Sequence, residues 1–363
     1  MVQFKWYDIF VDLFGTILSF ADPITDILTV VEFYGADHKT WFVVGLCFII
    51  LPSFFFSVIN FKFLLHDEDE SRCGRGTTCI FGCSPFFPAV MKLRTLFVYL
   101  NMKKLPNLWR GNQIEPTDIN KNPPTDLDVL LYLSAFAVLA EAAFESAPQF
   151  IIQLYAMVVQ QQSVTIVQMA SLPVSFLSLA SASTVADKLL NRYHGHLDLS
   201  VKDKVLLFVT HLFILSSRLF AVALFTVCYK WWVTSLLILH CTVIMMCDIF
   251  WIIWTSRTED CNVLVNFCFT FCFSWLRDDW SLRLFPSDEE NGEKHLRRMM
   301  LLSNVLFVIE NITMILLFYF GHFPHTWYSL PVTICVCLFS VLGAIMRRAE
   351  IDSLKWHVSG TYA

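Results

Sequence analysis

The chain has 363 residues, 56% of them hydrophobic and only 16% charged, with a formal net charge of −5. Soluble domains carry about 25% charged residues, so this composition excludes an ordinary soluble globular protein. The acidic balance gives no footing for nucleic-acid binding.

The first apolar stretch, 6–34, reads as a membrane-spanning helix that nevertheless holds four aspartates. At about 100° per residue, Asp8, Asp12, Asp22 and Asp26 fall within roughly an 80° arc. Each carboxylate near the centre of a span costs about 2.5–3.5 kcal/mol on an insertion scale, so the stripe is expected to face a polar cavity or a basic partner rather than lipid. Pro23 lies inside this helix and is expected to kink or break it near Ser19. The stretch is also expected to serve as its own insertion signal, since no cleavable signal peptide is legible.

A polar turn leads to a second span over 40–65. The apolar segment 80–100, interrupted by Pro85 and Pro88, suits a re-entrant or interfacial helix better than a full span. A proline-containing linker occupies 103–125. A span over 127–146 ends at Pro148, which is expected to break the helix before a short helix over 149–160. The next span, 164–192, is rich in small residues that permit close helix approach. Further spans are expected over 204–229, 231–254, 299–320 and 330–346, with a second re-entrant segment over 261–276. The fold class is thus an all-α polytopic membrane protein with about eight transmembrane helices. With both termini cytoplasmic, the lysines and arginines fall overwhelmingly in cytoplasmic loops, leaving Lys39 and Lys230 outside.

The chain divides into two pseudo-symmetric halves, 1–200 and 201–363. FESAPQFIIQLY has a counterpart in IENITMILLFYF, placing Glu145 against Glu310. Such repeats often bracket a polar site near mid-membrane. Glu141 and Glu145 share a helix face, and Arg218 stands near the middle of its span, where an unpaired guanidinium is very costly. The expectation is an intramembrane charge network of Asp8, Asp22, Asp26, Glu141, Glu145 and Arg218, with Glu310 as its second-half member. It serves either as a path for polar cargo or as a structural clamp.

No catalytic motif, cofactor signature or metal-ligand set is legible, so neither an enzyme nor a cofactor is expected. The 12 cysteines are scattered, mostly within apolar spans. Cys73, Cys79 and Cys83 are read as unmodified or palmitoylated rather than zinc-binding. The sequon at Asn311 sits inside a span, where glycosylation is not expected.

The D-x13-D-x3-D spacing of Asp8, Asp22 and Asp26, the Ser146-Ala147-Pro148-Gln149 run, the segment from Arg218 to Phe225 and the triplet Ile309-Glu310-Asn311 together resemble the XK-related (Kx antigen-like) family of eight-span membrane proteins. That resemblance implies energy-independent phospholipid scrambling at the plasma membrane, including exposure of phosphatidylserine in apoptosis. The acidic and basic residues named above would form a stepped polar path. It also implies partnership with a chorein-type bridge-like lipid-transfer protein or a single-span accessory subunit. The chain departs from the family pattern at its last span, in its short C-terminal tail, which leaves no evident cleavage switch, and at Glu145, where the Kx branch has glycine. Glu115-Pro116-Thr117-Asp118 is the best caspase-like tetrapeptide. A membrane scaffold that recruits a lipid-transfer protein, and a solute transporter, are the competing readings.

Overall fold

The computed structural model describes residues 6–50, 142–160, 164–193, 200–254, 274–276, 290–321 and 326–359. The described residues are helical or lie in turns. Helix α1 is Trp6–Gly35 and α2 is Lys39–Ile50. A turn of wide, π-type helix, Ala142–Ser146, runs into α3, Ala147–Val159. Helices α4 (Ile166–Tyr193), α5 (Val201–Tyr229), α6 (Trp232–Trp254), α7 (Glu290–Gly321) and α8 (Ser329–Ser359) follow.

Five of these contain stretches long and apolar enough to cross a bilayer: Leu13–Gly35, Ile166–Lys188, Val201–Tyr229, Met300–Gly321 and Ser329–Ala349. Shorter apolar helices occupy Lys39–Ile50 and Trp232–Met246. The expected span over 127–146, apart from its last turn, and the remainder of the second span lie outside the described residues. So do both re-entrant segments, except for the turn at 274–276.

Alongside buried apolar residues such as Phe33 and Phe318, the helices bury polar side chains and expose apolar ones. On α1 the outward face is Leu13, Phe14, Ile17, Ile24, Leu28 and Val31, whereas Thr16, Ser19, Asp22, Asp26 and Thr29 are buried. On α7 the exposed face carries Leu302, Val305, Ile309, Leu316 and Phe320, and Asn311 is buried. Apolar surface this continuous is what lipid tails require of a helix bundle.

At both prolines the helical backbone is continuous. Helix α1 runs through Pro23 without interruption, so the residue does not break it. Proline's fixed φ is itself helical, and its cost is one lost backbone hydrogen bond and crowding of the preceding turn. At Pro148 the helical backbone is likewise continuous, but its hydrogen-bond pattern changes from the wide turn to α-helix one residue before Pro148. A wider turn accommodates a ring that cannot donate to the carbonyl four residues back.

The chain forms two compact units. One comprises 1–146 and 173–199; the other comprises 147–172 and 200–363. The last boundary is at 199/200, and 147–172 groups with the second unit. The earlier crossings lie beside Pro148, where the hydrogen-bond pattern changes, and at Pro173, inside α4.

In the second unit α5 is the central helix, packing against α3, α6, α7 and α8. It starts from a capping box: Ser200 Oγ accepts from the Asp203 amide, and the Asp203 carboxylate accepts from the Ser200 amide. Its core contacts are Ala221, Val222, Leu224 and Phe225 against Met314, Ile315, Phe318 and Val336. It ends in a tight turn in which Lys230 takes a φ of 41°, unusual for a side chain, and donates its amide to the Thr226 carbonyl. Gly343 of α8 lets that helix approach α5 so closely that a Cβ there would meet Ile214 Cγ1 at 2.9 Å and its backbone nitrogen at 3.2 Å.

Candidate functional site

The charged residues singled out in the sequence form two clusters, one in each unit. In the first unit, α1 presents Asp22, 2% exposed, and Asp26, completely buried. Ser146 Oγ, from the wide turn, donates to Asp22 Oδ2 at 2.8 Å. Ser175 Oγ, from α4, donates to Asp26 Oδ1 at 3.2 Å. Glu145, 3% exposed, immediately precedes Ser146 and is enclosed in the same unit. Along the rest of this face, Ser19 Oγ donates to the Gly15 carbonyl and Thr29 Oγ1 to the Thr25 carbonyl. These back-bonds satisfy each hydroxyl inside its own helix while leaving its oxygen on the polar face. A Cβ at Gly15 would lie 3.0 Å from Ser181 Oγ, so α1 and α4 touch through small residues there. Further along α4, Asp187 and Lys188 are also buried. The first unit therefore encloses a stripe of carboxylates and hydroxyls behind an apolar outer face. Asp8 lies on α1, but its side chain is outside the described set; Glu141 is outside it altogether.

In the second unit the fully buried Arg218 of α5 meets Glu310 of α7, with Nη1 3.1 Å from Oε2. The same Nη1 donates to Asn311 Oδ1 at 3.1 Å, and Nε donates to the Trp275 carbonyl at 2.8 Å. The guanidinium carbon lies 4.7 Å from the centroid of the Phe307 ring, a cation–π contact worth about 2 kcal/mol when desolvated. Asn311 in turn donates to Ser217 Oγ at 3.3 Å. Its buried amide is engaged within the cluster, consistent with an unglycosylated sequon. His240 of α6 completes the group, with Nδ1 2.6 Å from Glu310 Oε2. The cluster thus ties α5, α6, α7 and the 274–276 turn together.

Arg218 was expected to need a carboxylate, and Glu310 supplies it. His240, Asn311 and the Trp275 carbonyl are additions that sequence reasoning missed. For His240 a signal existed: an ionisable side chain in the apolar run WVTSLLILHCTVIMM is unusual for a membrane helix. The backbone carbonyl of Trp275 leaves no mark in a sequence. Among the described residues no group of histidine, cysteine, aspartate and glutamate side chains could hold a metal ion.

The buried acidic residues lie on α1, the buried Arg–Glu pair joins α5 to α7, and α1 and α7 each carry an exposed apolar face. A family model described as XK-related protein matches residues 10–348, nearly the whole chain. The chain belongs to the XK-related family. It is an integral membrane protein of the helical class, and in this XK-related chain the matched span includes Asp22, Asp26, Glu145, Arg218 and Glu310 alike.

Proposed function

We propose that the protein is a phospholipid scramblase. It moves phosphatidylserine and other phospholipids between leaflets without energy input, along the polar interior of its first unit. The observation that carries this reading is the enclosed stripe of Asp22, Asp26 and Glu145, lined with serine and threonine hydroxyls, in a chain of the XK-related family. A headgroup that crosses a bilayer alone loses its hydration; hydroxyls and carboxylates replace the lost hydrogen bonds while the tails stay in lipid. Carboxylates suit the ammonium of serine, ethanolamine and choline headgroups, and hydroxyls suit the phosphate oxygens. We assign Arg218 and Glu310 the part of a clamp, because the pair is sealed by Asn311, the Trp275 carbonyl and His240.

The protein is not an enzyme and needs no cofactor in this reading. It resides in the plasma membrane with both termini in the cytoplasm. Because Asp22, Asp26 and Glu145 are enclosed, a headgroup reaches them only when the helices around them part. That supports a regulated activity, with a chorein-type lipid-transfer protein or a single-span accessory subunit as the partner that shifts the equilibrium. The test is leaflet exchange of a fluorescent phospholipid by purified full-length protein in liposomes, read with an impermeant quencher. Loss of protection of the inner-leaflet probe, unaffected by collapsing ion gradients, supports scrambling. Saturable solute uptake that depends on a gradient, with the inner leaflet still protected, supports a transporter instead.

A further inference from the structure

The two ends of the second unit differ in chemistry. At one end α5 passes into α6 through Lys230 and Trp231, and α7 stops at Gly321 before α8 begins at Ser329. These turns are neighbours: Tyr229 Oη donates to the Leu317 carbonyl at 3.4 Å, a Cβ at Gly321 would meet the same hydroxyl at 2.9 Å, and Tyr229 and Tyr328 pack against one core. Trp231, Trp232 and Trp327 are 86%, 71% and 88% exposed there. At the other end, where α5 starts and α8 finishes, the exposed residues include Lys202, Arg298 and Arg348. Between the ends, α7 and α8 carry exposed leucines and isoleucines such as Leu316, Leu338 and Ile345.

The separation of the ends fits a bilayer. At about 1.5 Å per residue, Arg348 stands about 29 Å along α8 from Ser329, and Arg298 about 33 Å along α7 from Phe320. A hydrocarbon core is about 30 Å thick. Charge agrees with this placement, because the stretches 147–172, 219–247 and 311–349 hold no aspartate or glutamate to repel lipid phosphate, and Lys230 offers an ammonium. An indole has an apolar body and one N–H donor, which suits the boundary between headgroups and acyl chains. We infer that the aromatic end is an interfacial anchor: Trp231, Trp232 and Trp327 sit in the headgroup–hydrocarbon boundary of one leaflet, beside Lys230 on the lipid phosphates, and thereby hold the Arg218–Glu310 clamp at mid-bilayer.

Three helices give the same depth for the clamp. Arg218 lies about 16 Å along α5 from Tyr229, Glu310 about 16 Å along α7 from Gly321, and His240 about 12 Å along α6 from Trp232. Half of the hydrocarbon core is about 15 Å. The anchor thus places the buried ion pair where water is farthest in either direction, which is where its mutual neutralisation matters most. The inference is independent of whether the protein moves lipid.

The test is fluorine NMR of full-length protein carrying 5-fluorotryptophan, in phosphatidylcholine nanodiscs. The chain has 11 tryptophans, and Trp231→Phe, Trp232→Phe and Trp327→Phe each assign a line by its loss. Should a phenylalanine variant fail to fold, the tyrosine one assigns that line. Three paramagnetic probes are compared: a nitroxide on the lipid headgroup, a nitroxide at the end of an acyl chain, and a water-soluble gadolinium chelate. The three wild-type lines are expected to be broadened away by the headgroup nitroxide and to survive the other two probes. Leu239→Trp adds a lipid-facing indole next to His240, and its line is expected to be lost to the chain-end nitroxide instead. Loss of the three wild-type lines to the chelate while both lipid labels spare them would mean indoles standing in water, as for a protein-docking surface, and overturns the anchor. Loss of the added line to the headgroup nitroxide, with the chain-end label sparing it, overturns the depth assigned to the clamp.

Discussion

Arg218 shows most sharply how one side chain fixes its surroundings. A buried guanidinium stripped of its carboxylate, or the reverse, leaves an uncompensated charge, at a cost of about 3–5 kcal/mol. Glu310→Gln and Arg218→Gln are each expected to lower the thermal midpoint of the purified protein. The double change is expected to cost less than the sum of the two, because the pair touches directly at 3.1 Å. Additive losses in a thermal-melt double-mutant cycle would contradict a clamp. Asp22 and Asp26 behave differently. Each accepts from a serine hydroxyl that can equally donate to an amide oxygen, so Asp22→Asn is expected to keep that hydrogen bond, worth about 1 kcal/mol, as a thermal melt beside Asp22→Ala would show. The need for a carboxylate partner for Arg218 was legible in the sequence, because a lone intramembrane charge has few affordable solutions. Which carboxylate it takes was not, since Glu310 is remote along the chain and Asp22, Asp26 and Glu145 were chemically equal candidates. His240 offered a signal, an ionisable side chain in an apolar helix, but its partners, Glu310 and the Ser274 carbonyl, lie far along the chain and left none.

Close helix contacts are where small residues matter. Gly343 admits α8 against α5, and a bulky residue there has to displace Ile214 or its backbone. Gly343→Leu is expected to destabilise the protein by about 1–3 kcal/mol, as overpacking does, seen as a lowered midpoint in a thermal melt; an unchanged midpoint would show that the crossing adjusts freely. Gly15 and Ser181 make the corresponding approach between α1 and α4. A Cβ at Gly15 lies 3.0 Å from Ser181 Oγ, so cysteines at both positions bring two sulfurs to the same crossing. Oxidising the Gly15→Cys, Ser181→Cys protein is expected to stop lipid exchange and reduction to restore it; equal rates in both states would show that α1 and α4 need not part. Among the described residues, the positions of the five long apolar helices were legible because continuous apolar runs form helices in a bilayer. Residue type alone does not separate a broken helix from one that continues through Pro23 or shifts to a wide turn before Pro148.

At the scale of the molecule, the proposed function divides the work between the two units. The first encloses acidic and hydroxyl side chains suited to headgroups, and the second is fastened around α5 by a charged clamp. The segment 147–172 belongs with the second unit, an arrangement that the halves of the sequence could not reveal, because repeat symmetry reports ancestry of segments rather than their packing. The most direct test of the account is leaflet exchange in liposomes by wild type and Asp26→Asn, prepared side by side, with thermal melts confirming that both are folded. Removing a single charge from the path while keeping its shape is expected to slow exchange by about tenfold or more, equivalent to about 1.4 kcal/mol on the barrier, with little change in melting. A folded Asp26→Asn protein that exchanges lipid at the wild-type rate would contradict the proposed path through the first unit.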